Sequence, residues 1–71
     1  MVMGVSVEII LDGKQYTTGI KPDITAGEME QTIHDAALSG KFLSLAMGEN
    51  SLLLLSPSAI QRAAFFIEEW A

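Results

Sequence analysis

Residues 56–70 read Ser56-Pro57-Ser58-Ala59-Ile60-Gln61-Arg62-Ala63-Ala64-Phe65-Phe66-Ile67-Glu68-Glu69-Trp70. The conformation of this stretch decides whether a second helix or a further strand completes the domain. As a helix, Ala59, Ile60, Ala63, Ala64, Phe66, Ile67 and Trp70 share one face, opposite Gln61, Arg62, Glu68 and Glu69. Ser56 followed by Pro57 supplies a cap and a proline at the first helical position. Ser58 and Gln61 have capping-box spacing. As a strand, the same stretch begins with a turn over 57–62. Phe65 and Ile67 of the following segment then point inward, and the Phe-Phe-Ile cluster has the β preference. Alanines and glutamates favour the helix. Both readings stay open at this point.

Upstream, Leu52-Leu53-Leu54-Leu55 is apolar on both faces, as in a strand covered on both sides. Gly48-Glu49-Asn50 has turn chemistry, and Leu43, Leu45 and Met47 alternate with Phe42, Ser44 and Ala46. This predicts a second hairpin. Before it, Thr25-Ala26-Gly27-Glu28 fits a capping box, and Ala26, Met29, Ile33, Ala36 and Ala37 form an apolar stripe. A helix over 26–39 follows, ended by Gly40 in a left-handed conformation.

At the start of the chain, Val5, Val7, Ile9 and Leu11 alternate with Ser6, Glu8 and Ile10. Asp12-Gly13 then marks a two-residue hairpin turn, because a type I′ turn needs φ > 0 at both central positions. The register places Leu11 opposite Lys14, Ile9 opposite Tyr16, Val7 opposite Thr18 and Val5 opposite Ile20. The whole reads as an α+β domain over residues 1–71, ββαββ followed by a final strand or helix, with one central helix on a small antiparallel sheet. The expected core is Val5, Val7, Ile9, Leu11, Tyr16, Ile20, Met29, Ile33, Ala37, Leu43, Leu45, Leu52, Leu54, Ile60 and Ile67. The layout resembles that of small bacterial and phage proteins of unknown function. In those an apolar strand, a Pro-containing turn and an isoleucine lead into a last strand, which implies a strand at 63–69 and no activity.

The chain has 71 residues, no cysteine and a formal charge of −5. The length allows one small domain of marginal stability. The missing thiols leave no disulfide framework and no thiolate for zinc or nucleophilic attack. Acidity argues against a nucleic-acid partner, which needs a basic surface. Lys14, Lys21, Lys41 and Arg62 are scattered and are not interleaved with aromatics. A hydrophobic fraction of 49% argues against disorder. The N-terminus lacks the basic and apolar regions of a signal peptide, and no apolar run reaches membrane-spanning length. A cytoplasmic protein without a membrane partner is expected.

The chemistry-bearing residues are sparse. His34, with Glu30 one turn before it, provides two groups and no third, short of a metal site. No serine sits in a nucleophile elbow, and no glycine pattern cradles a phosphate. No catalytic residue, cofactor or metal is expected. The informative feature is apolar surplus. Ile10, Phe42, Leu53, Leu55, Phe65, Phe66 and Trp70 are candidate interface residues, because one helix covers one sheet face and leaves the other open. The expectation is a non-catalytic protein-interaction module, a homodimeric accessory or regulatory protein, with another protein as the second choice of partner. The alternative is a small-ligand-binding protein whose pocket forms between subunits.

Overall fold

The computed structural model describes residues 3–70. The elements run β1 (Gly4–Leu11), β2 (Lys14–Thr17), β3 (Lys21–Pro22), α1 (Ala26–Ser39), β4 (Leu43–Gly48), β5 (Ser51–Leu55), α2 (Pro57–Arg62) and β6 (Ala64–Trp70). The fold is α+β, with antiparallel sheets and a long central helix. β1 is the middle strand of the larger sheet. β6 lies antiparallel along one edge, from Gly4 opposite Trp70 to Ile10 opposite Ala64. β2 and β3 share the other edge. A second, two-stranded sheet is formed by β4 and β5.

The first hairpin starts as its sequence dictates. Asp12 and Gly13 both have positive φ, and Leu11 opposes Lys14 while Ile9 opposes Tyr16. Beyond Thr17 the register slips. Val5 meets Lys21 instead of the expected Ile20. One extra residue in the 18–20 segment causes the slip, as in a β-bulge. Thr18 keeps contact through two bonds: its N–H donates to the Val7 carbonyl (2.9 Å), and its Oγ1 accepts from the Val7 N–H (3.0 Å). Gly19 turns away and donates to the Ala46 carbonyl (3.3 Å), which ties the larger sheet to β4. Ile20, expected in the core, is therefore exposed.

α1 spans Ala26–Ser39 as the capping box and Gly40 predict. Thr25 Oγ1 accepts from the Glu28 N–H, Glu28 Oε1 accepts from the Thr25 N–H, and Gly40 has φ 67°. The Glu69 carboxylate adds a long-range cap, accepting from the Ala26 N–H at 3.1 Å. An acceptor with negative charge suits the positive end of the helix. The 56–70 stretch divides between the two readings. Ser56 caps a short helix with Pro57 at its start, and Ala63 returns to extended backbone at ψ 151°. From there the chain is the final strand, with Phe65 and Ile67 packed toward the core.

The core lies between the larger sheet and the elements that cover its inner face. Val5, Val7 and Ile9 are fully buried. Met29 and Ile33 of α1, Ala59 and Ile60 of α2, and Leu43, Leu45 and Leu55 of the hairpin complete the buried cluster. The hairpin departs from expectation in one respect. Leu43 opposes Leu55 and Leu45 opposes Leu53, so the odd-numbered leucines face inward. Leu52 and Leu54, expected in the core, oppose Ala46 and Ser44 and point outward. A run of four leucines carries no period of its own, so the register set at the turn decides which pair is buried. That register shifts by one between Ala46 and Gly48.

Candidate functional site

Two apolar surfaces are left open. The first is the outer face of the larger sheet. Residues directly opposite in an antiparallel pair project to the same side. Ile10 and Ala64, Glu8 and Phe66, Ser6 and Glu68, and Gly4 and Trp70 therefore share this face. Ile10, Phe66 and Trp70 are all exposed here. The carboxylates of Glu8 and Glu68 interrupt the apolar surface. The Trp70 indole N–H donates to Ser6 Oγ at 2.9 Å, which gives a partner to the hydroxyl of a buried residue. The Trp70 indole is thus tied by this bond to the central strand.

The second surface belongs to the β4–β5 hairpin. Leu52 is 69% exposed and Leu54 61%, and both stand on the side away from the core. Phe42, just before β4, is 65% exposed. Ser44 and Ala46 lie between the leucines and are also exposed. No charged side chain occurs in β4 or β5. Among the described residues β5 pairs with β4 alone. Its other edge keeps a row of backbone donors and acceptors without a ladder partner.

The candidate interface residues thus separate. Ile10, Phe66 and Trp70 come together on the outer sheet face, and Phe42 stands by the hairpin. Phe65 is half-buried against the core. Leu55 is buried at 3% exposure, and Leu53 is half-buried against the core, so neither faces outward. Their places on the exposed side are taken by Leu52 and Leu54. Leu38, at 85% exposure, is a further apolar side chain open to solvent. It falls off the α1 stripe, a signal already present in the helical spacing.

A cleft of about 580 Å³ separates the 18–22 segment from the hairpin. Ile20, Pro22, Met29, Leu45 and Leu52 line it, together with Lys21 and Glu49. His34 and Glu30 sit elsewhere, 3.9 Å apart on the solvent side of α1, each about two-thirds exposed. Among the described residues no group of three or more His, Asp or Glu side chains is placed to hold a metal. Arg62 forms an exposed ion pair with Asp12 at 3.4 Å, linking α2 to the first hairpin turn. No helix among the described residues is long and apolar enough to cross a membrane.

No family model, curated protein or solved structure matches the chain.

Proposed function

We propose that the protein is a non-catalytic interaction module that works as a homodimer, an accessory or regulatory protein of the bacterial or phage kind. The observation that carries this reading is the distribution of unburied apolar surface. The folded chain exposes 4787 Å². A monomer of 7.7 kDa is expected to expose ~4,300 Å², so about 490 Å² more than usual stays in water. Leu52, Leu54 and Phe42 on the hairpin and Phe66 on the outer sheet face account for much of the apolar part. A small domain gains stability by burying such surface against a second copy. The charge of −5 keeps the rest of the molecule solvated.

A second reading rests on the cleft beside the hairpin. Its volume of about 580 Å³ falls within the ~300–1,000 Å³ typical of small-molecule sites. A second copy seated near Leu52 would supply a further wall, giving a ligand pocket between subunits.

Light scattering behind size exclusion, over a hundredfold concentration range, tests the main reading. The expected mass is close to twice 7.7 kDa at the upper end. A mass of one chain throughout would overturn the homodimer. A thermal shift with a metabolite or nucleotide panel separates the second reading. A stabilised transition supports the pocket, and an unmoved one removes it.

A further inference from the structure

Resting on the homodimer reading, we infer that the contact is made edge to edge by β5, each copy adding its hairpin to the other to form a continuous four-stranded antiparallel sheet. Three observations select this edge. β5 is five residues long and holds none of the devices that blunt an exposed edge: Ser51-Leu52-Leu53-Leu54-Leu55 contains no charge and no proline. Its own bulge-like irregularity lies across the hairpin between Ala46 and Gly48, so β5 itself remains regular.

The edge is also self-complementary. A two-fold axis through Leu53 pairs each strand with its copy so that Leu52 opposes Leu54 of the second copy, Leu53 opposes Leu53, and Ser51 opposes Leu55. The two exposed leucines thereby become cross-strand neighbours, twice over, on the solvent side. The half-buried Leu53 pair closes the side facing the core. An isologous contact needs this kind of self-matching patch. Leu52 and Leu54, 69% and 61% exposed in the single copy, shield each other across the seam. Pairing of the strand backbones satisfies the donors and acceptors that the β5 edge otherwise presents to water.

Charge supplies the third observation. Two copies carrying −5 each repel, and residues 50–61 form an uncharged stretch through which they can approach. β6 has a free edge too, but it contains Glu68 and Glu69. Charged side chains on an exposed strand are a device that blunts an edge, which disfavours self-pairing of β6.

Two lysine variants decide the matter by light scattering, with melting curves to confirm folding. Leu54→Lys replaces the apolar partner of Leu52 in both cross-strand pairs with a charge, the kind of edge lysine that opposes strand pairing, and is expected to weaken the dimer about tenfold. Phe66→Lys, on the outer sheet face, is expected to leave the dimer intact. Should Leu54→Lys fail to fold, Leu52→Lys repeats the test from the opposing position. A wild-type dimer that survives the hairpin substitution and dissociates with Phe66→Lys overturns the β5 assignment and leaves the homodimer standing. A wild-type chain that is monomeric throughout overturns both, and a mass above one chain only when a different protein is added points to an unlike partner instead.

Discussion

Gly4 and Ile20 meet where the first hairpin slips by one residue. A Cβ built on Gly4 would lie 2.6 Å from Ile20 Cγ2 and 3.2 Å from the Lys21 carbonyl oxygen. Ile20 is branched at Cβ, so moving Cγ2 clear means leaving its preferred χ1, and the Lys21 carbonyl is backbone that cannot rotate away. Gly4→Ala is therefore expected to destabilise the fold by about 1–3 kcal/mol, the cost of overpacking a tight contact. A lower urea midpoint with an unchanged slope would show it. An unaltered midpoint would mean that the 18–20 segment adjusts freely. The alternation of Val5, Val7 and Ile9 made the buried side of β1 legible from the chain. Ile20 was not legible, because Asp12-Gly13 sets the register only near the turn. The extra residue at Thr18-Gly19-Ile20 carries no mark stronger than a glycine. Trp70 shows the opposite limit. It stands among the interface candidates of the sequence, yet the indole is also bound to Ser6 within the same molecule.

Among the elements, α1 was the most legible, since its caps and stripe are local. Thr25 and Glu28 bond each other's backbone, and the helix ends at Gly40 as spacing requires. Thr25→Ala removes the hydroxyl acceptor and should cost about 1 kcal/mol, lowering the melting temperature by roughly 4–8 °C in a domain of this size. Calorimetry or circular dichroism checks this. The hairpin was legible in kind and not in facing. Alternation at Leu43 and Leu45 identified the inner side of β4. Leu52 to Leu55 offered no alternation, so their sides depended on the turn after Met47, whose length the Gly48-Glu49-Asn50 sequence does not specify. The exposed leucines, the centre of the candidate site, were thus the part that composition revealed and periodicity hid. The closing stretch mixed both of its signals. Ser56 and Pro57 did start a helix, but the β preference of Phe65-Phe66-Ile67 and the open edge of β1 prevailed from Ala63 onward.

At the scale of the whole molecule, β1 is saturated on both edges while the hairpin is not. Among the described residues one backbone bond, from Gly19 between β2 and β3 to Ala46, ties the smaller sheet to the larger. The inner leucines of the hairpin complete the core, and its outer leucines and the β5 edge face water. An uncovered edge of this kind is either a liability or an interface. Here the uncharged, self-matching sequence of β5 favours the interface. Apolar surplus with few charged groups was readable from composition, and the place where that surplus collects was not. Amide hydrogen exchange of residues 51–55, followed across a dilution series that spans dimer and monomer, reads the claim at the backbone itself. Edge pairing predicts strong protection of alternate amides in β5 at high concentration, lost on dilution, with Ala64–Trp70 unchanged. Exchange in β5 that is fast and independent of concentration while the mass is that of a dimer would contradict it.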